Sequence, residues 1–101
     1  MSHVHHVVLV HWKDGTSSEA LEAVADAARA CVGAIPGIVD LTEGPSVSPE
    51  GLEQGYDWGL LIAFADAAAR DAYLPHPVHR VLADLIGANA AGVVVFDLAA
   101  T

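Results

Sequence analysis

Hydrophobic positions recur along this chain with two different periods, and the changes of period mark out its elements. His3 to Trp12 (HVHHVVLVHW) is β-branched and too short for an isolated helix, so it reads as a strand. Thr16-Ser17-Ser18-Glu19 has the spacing of a capping box, with Thr16 accepting from the backbone and Glu19 reaching back. The helix it opens sets Leu21, Val24, Ala25, Ala28, Val32 and Ile35 along one face. Gly33 and Pro36-Gly37 end it. A second strand starts over Ile38 to Leu41 and fades at Gly44-Pro45, where a polar loop to Gly55 begins. Tyr56 to Phe64 (YDWGLLIAF) predicts a third strand. Asp66 caps a short alanine-rich helix reaching Tyr73, and a further helix runs from about Pro77 to Ile86, with Gly87 at its C-terminal cap. Val93 to Leu98 is the last strand.

The order β-α-β-β-α-β predicts an α+β fold of ferredoxin-like topology, with helices on one face of a four-stranded antiparallel sheet. The chain has 101 residues, enough for one domain spanning 1–101 and too few for two. Both faces of the strands are apolar, although helices can cover only one. Strand one offers Val4, Val8, Val10 and Trp12 to one side and Val7 and Leu9 to the other. Strand three sets Trp58, Leu60, Ile62 and Phe64 against Leu61, Ala63 and Ala65. A lone copy would leave an apolar sheet face wet. The expected remedy is a homodimer packed sheet on sheet, a dimeric α/β barrel.

Charge narrows the partners. The formal net charge is −9, and Lys13, Arg29, Arg70 and Arg80 are scattered, so no phosphate-binding patch exists. Nucleic acid and anionic membrane are therefore not expected partners. No apolar run approaches the ~18 residues of a membrane span. The first residues lack the pattern of a secretory leader, which makes a cytoplasmic location the expectation. Cys31 is the single cysteine, which excludes an internal disulfide and a cysteine zinc site. Within a helical Ala/Val pattern it reads as a small buried hydrophobe.

The densest polar constellation is Tyr73-Leu-Pro-His76-Pro77-Val-His79. Proline favours the first helical position, so His76 falls at the N-cap and His79 in the first turn. The positive helix end there disfavours imidazolium, and a neutral imidazole can act as a general base. Tyr73, across a tight turn, has a hydroxyl able to orient a carbonyl or stabilise an enolate. A purely structural reading also stands: His76 as a cap and Tyr73 as a packing aromatic. His6 shares the parity of Val4, Val8 and Val10, which turns it toward the same cavity if that face meets the helices. His3, His5 and His11 take the opposite face. His3 and His5 form an H-x-H pair, but further ligands are not evident, so no metal is expected. Neither a phosphate-binding glycine loop nor a serine or cysteine nucleophile motif occurs. Cofactor-free proton transfer on a small, mostly apolar molecule is the chemistry left, with Val8, Val10, Val24, Ala28, Trp58, Leu60, Leu74 and Leu82 as candidate pocket walls.

Several segments resemble the stress-responsive dimeric α/β-barrel (Dabb) domain. They are H-x-V-x-W-K at His6 to Lys13, I-P-G-I at Ile35 to Ile38 and G-Y-D at Gly55 to Asp57. A-Y-L-x-H-P-x-H at Ala72 to His79 and V-F-D at Val95 to Asp97 complete the set. The resemblance covers essentially the whole chain. It implies a homodimer joined through the sheets and a pocket between sheet and helices. Similarity to the family's plant polyketide cyclase further implies aldol-type cyclisation of a poly-β-keto chain, with His79 as base, Tyr73 orienting the substrate and His6 as a third polar group. Where that cyclase has another pocket histidine, this chain has Trp58, and its bulky first-helix residues are replaced by Val24, Ala25 and Ala28.

Overall fold

The computed structural model describes residues 3–100. In chain order they form β1 (His3–Trp12), α1 (Ser18–Ala30), β2 (Ile38–Pro45), β3 (Trp58–Phe64), α2 (Ala67–Tyr73), α3 (Pro77–Asn89) and β4 (Ala90–Ala100). The four strands make one antiparallel sheet in the order β2-β3-β1-β4, the ferredoxin-like arrangement expected. Strand alternation decides what each face becomes. Val4, His6, Val8 and Val10 of β1 and Trp58, Leu60, Ile62 and Phe64 of β3 are buried beneath the helices. In register, Val8 lies opposite Leu60 on one side and Val95 on the other. The opposite face carries Leu9, Leu61, Val94, Phe96 and Leu98, each between 38 and 58% exposed.

Several local expectations shift. The N-cap of α1 is Ser17, whose hydroxyl accepts from the Ala20 amide, rather than Thr16. Thr16 instead donates its hydroxyl to the Lys13 carbonyl and closes the preceding turn. The buried stripe behind α1 is Val24, Ala28, Cys31 and Ile35, while Val32 is exposed and Leu21 is at the margin. A spacing of 4, 3 and 4 residues keeps that stripe in line, and Val32 falls off it. Burial raises the Cys31 thiol pKa, as suits a small core residue. Helix α3 runs through Gly87 to Asn89 instead of capping there, because β4 begins at once: the Ala90 amide donates to Ile86 and the Asn89 carbonyl accepts from Lys13.

The turn before β2 sets the position of α2. Gly37 has φ +91°, and a Cβ there would lie 2.5 Å from the Ala69 Cβ. Its carbonyl also accepts from the Ala65 amide just ahead of α2. Only glycine permits both the backbone angle and the close approach. The Asp66 side chain accepts from the Ala69 amide and starts α2, which delivers Tyr73 into the core at 1% exposure.

Candidate functional site

Helices α2 and α3 meet at a tight turn, where His76 caps α3 by accepting from the Val78 amide and Pro77 occupies the first helical turn. His79 follows, its Nδ1 donating to the Leu74 carbonyl at 2.8 Å. A carbonyl can only accept, so Nδ1 carries the proton and Nε2 of a neutral ring is left as an acceptor. The His79 pKa lies below its ordinary value, chiefly through burial. His6 and Arg80 add repulsion, and the bond to Leu74 opposes the trend. Desolvation, rather than the helix end, is thus the leading influence favouring the neutral ring.

Tyr73 stands against His79 with ring centres 4.1 Å apart, and against His6 at 5.7 Å in an edge-to-face pose. Phe64 backs Tyr73 at 5.0 Å. Burial pushes the Tyr73 phenol well above its ordinary pKa, with Cys31 adding to it, so the hydroxyl keeps its proton and acts as a donor. His6 is 4% exposed, and its Nδ1 donates to Asp97 Oδ1 at 2.6 Å. Asp97 lies directly across from His6 in the β1–β4 ladder, and its Oδ2 accepts from Arg70. Burial favours the neutral Asp97 carboxyl, but hydrogen bonds from His6 and Arg70 outweigh it and hold the pKa below the ordinary carboxylate value.

These side chains open onto a cleft of about 300 Å³ between α3 and the β1–β4 side of the sheet. His6, Tyr73 and His79 are its polar members; Val8, Leu60, Leu74, Leu82, Ala83, Ile86, Gly87, Val93 and Val95 complete the lining. No carboxylate or cationic side chain is among the lining residues. The Tyr73 hydroxyl and the Nε2 atoms of both histidines form no hydrogen bond to another described residue. Among the described residues no sealed-off side-chain polar atom lacks a partner, so these three atoms reach open space. The arrangement sets a phenol and two imidazoles around an apolar volume.

The remaining candidate wall residues lie elsewhere. Val10 is opposite Trp58 in the β1–β3 ladder, four residues along β1 from His6 and thus about 13 Å away at the usual strand rise. Trp58 packs against Trp12 at 5.7 Å rather than facing Tyr73 and His79. Val24 and Ala28 are sealed in the core, where α1 packs against α3 and β2. Asp97 and Arg70 were not among the sequence-derived site residues. Register was the signal for Asp97, since placing it across from His6 requires the β1–β4 pairing. Arg70 lay one helical turn before Tyr73. Among the described residues no group of three His, Cys, Asp or Glu side chains is arranged to hold a metal ion, and no helix is long and apolar enough to cross a membrane.

A four-stranded ferredoxin-like sheet with one helix-covered face, a cleft beside α3 and an uncovered apolar face define the class of protein. The chain belongs to the Stress responsive A/B Barrel Domain family, whose profile it matches over residues 4–100. It is 32% identical over 94 residues to the stress-response A/B barrel domain-containing protein HS1 of Arabidopsis thaliana, covering 93% of this chain and 86% of that one. A dimeric ferredoxin-like protein of unknown function from Jannaschia superposes with a TM-score of 0.83 at 26% identity, over 95% of this chain and 97% of that one. The hydroxynitrile lyase of Passiflora edulis shares the fold with a TM-score of 0.88, over 98% and 94% of the two chains, at 16% identity.

Proposed function

We propose that this protein is a homodimeric, cofactor-independent acid–base enzyme acting on a small, largely apolar β-keto substrate, of which a polyketide chain undergoing aldol-type cyclisation is the leading example. The observation that carries the reading is the convergence of three polar side chains, His6, Tyr73 and His79, on an otherwise apolar cleft. His79 Nε2 takes a proton from the carbon between two carbonyls and becomes imidazolium. The Tyr73 hydroxyl donates a hydrogen bond to the carbonyl oxygen on which enolate charge grows, and its raised pKa keeps that proton in place. His6 supplies a further polar contact at the inner wall. The enolate carbon then attacks a second carbonyl of the same chain, and the proton held by His79 is available to the new alkoxide. A cleft lined without charged side chains favours a neutral substrate body.

Homodimerisation is supported by the row Leu9, Leu61, Val94, Phe96 and Leu98, which a second copy would cover. The dimeric assembly of the Jannaschia protein, whose fold is the same, supports the same reading. The test uses ethyl 3-oxohexanoate in deuterated buffer, with α-proton exchange followed by NMR. The protein should accelerate exchange above buffer, and His79→Phe should abolish the acceleration while leaving the assembly mass unchanged. Exchange unchanged in His79→Phe refutes the assignment.

A second reading is a non-enzymatic barrel that stores or senses a small apolar ligand, favoured by the preponderance of apolar lining. It predicts that an apolar probe such as 1-anilinonaphthalene-8-sulfonate binds wild type and His79→Phe equally, with no exchange in either.

A further inference from the structure

Helix α2 is only seven residues long, yet it carries two side chains that bear on the cleft. Tyr73 enters the cleft itself, and Arg70, one turn earlier, reaches β4. The Arg70 Nη1 donates to Asp97 Oδ2, and its Nε donates to Asp71 Oδ1 at 2.8 Å. Asp97 therefore has both oxygens assigned, one to Arg70 and one to His6 Nδ1. A chain of charge-assisted hydrogen bonds runs from α2, through the edge strand, to a nearly buried ring on β1.

A neutral imidazole can carry its proton on either nitrogen, and the partner of one nitrogen decides what the other presents. Here the Asp97 carboxylate claims Nδ1–H, which directs Nε2 to the cleft. That arrangement requires the carboxylate to stay turned toward His6. Asp97 sits on an edge strand with its side chain 27% exposed, where a lone carboxylate is free to rotate toward water. The planar guanidinium removes that freedom by engaging the second oxygen, and Asp71 steadies the guanidinium from its other side.

We propose that Arg70 is a positioning residue of this site: by holding Asp97 it fixes the proton of His6 on Nδ1 and presents Nε2 to the bound molecule. Its catalytic consequence rests on the acid–base reading above, but its geometry does not. Because Arg70 and Tyr73 share α2, the same tie also locates the Tyr73 hydroxyl relative to His6.

The test is long-range proton–nitrogen NMR of the histidine-labelled full chain at alkaline pH, where the tautomer of His6 is read directly. Wild type should show His6 protonated on Nδ1. Arg70→Met should shift it to a mixture of tautomers, with the backbone spectrum away from α2 and β4 preserved. Arg70→Lys keeps the cation and should restore most of the Nδ1-protonated form, a rescue that a merely structural role would not produce selectively at His6. Should Arg70→Met not fold, Arg70→Gln serves, since it removes the charge while keeping a short donor. Exchange of ethyl 3-oxohexanoate should fall about tenfold in Arg70→Met, in kcat rather than KM, as expected for misplacement of a group by a fraction of an ångström. A His6 that remains wholly Nδ1-protonated in Arg70→Met, or in Arg70→Gln where Met does not fold, overturns the proposal. If wild type shows no exchange at all, the acid–base reading fails alone, and the tautomer measurement still decides the role of Arg70.

Discussion

The two sides of β1 are built from alternate residues of one ten-residue run, yet they meet different fates. Val4, His6, Val8 and Val10 turn toward the helices and are buried. Val7 and Leu9 turn the other way, where Leu9 joins Leu61, Val94, Phe96 and Leu98 in an uncovered row. The chain satisfies the first face by itself, and a histidine can be buried there because Asp97 stands across the ladder to accept the hydrogen bond from its Nδ1–H. The second face mixes its apolar row with His5, Thr42 and Asp40, and no helix covers it. Under the proposed function, the sheet divides its duties, one side for the site and the other for assembly.

Breaking the covered face should have the largest effect. Phe64 is fully buried and contacts both His6 and Tyr73 through its ring. Phe64→Ala should lower stability by about 3–5 kcal/mol, measured by urea unfolding, because the site cannot collapse around the lost ring. A change below about 1 kcal/mol would mean that this face is not the core.

The uncovered face should respond in the opposite way. Phe96→Asp places a charge in the centre of the apolar row, on a side chain already 58% exposed. Assembly mass by light scattering should halve, since a buried unpaired carboxylate opposes sheet-on-sheet packing. The fold itself should remain, read as an unchanged far-ultraviolet spectrum. A full-mass dimer in Phe96→Asp would show that the copies meet elsewhere.

Gly37→Ala is a smaller lesion on the covered side. It forces an L-residue into φ +91° and pushes a methyl into Ala69 on α2. The cost should be about 1–3 kcal/mol of unfolding stability. The displaced helix carries Tyr73, so α-proton exchange should fall further than the stability loss alone explains.

Much of this architecture is legible in the sequence because two-residue alternation leaves a clear trace. β1 runs from His3 to Trp12 as its valines predict, and the parity of His6 places it on the buried face beside Tyr73. Pro77 likewise locates His76 at the cap and His79 in the first turn. What alternation cannot supply is position along the strand and across the sheet. Trp58 has the right parity for the covered face but pairs with Val10, well away from His6. Val24 and Ala28 lie on the buried stripe of α1, but that helix packs against α3 and β2. Asp97 is reached only through strand pairing, and Arg70 only through the placement of α2 against β4. Local cap chemistry was also ambiguous where Thr16 and Ser17 stand side by side and either hydroxyl satisfies the pattern.

The smallest expected effect, and the finest division of the covered face, lies in how stability responds to acid. His79 has a folded pKa below its unfolded value, so the unfolded chain takes up the proton first as pH falls. Its contribution is therefore complete above the unfolded value of about 6.5 and declines as pH drops from there to the folded value. Asp97 is also depressed, so its contribution is complete above about 3.9 and is lost as pH falls through its folded pKa. Both slopes have the same sign, but the windows open at different pH. Urea unfolding followed from pH 8 to 3 should show a first decline just below neutrality and a second below about pH 4. His79→Phe should flatten only the first, and Asp97→Asn only the second. If Asp97→Asn altered the first decline as well, that decline could not be assigned to His79 alone.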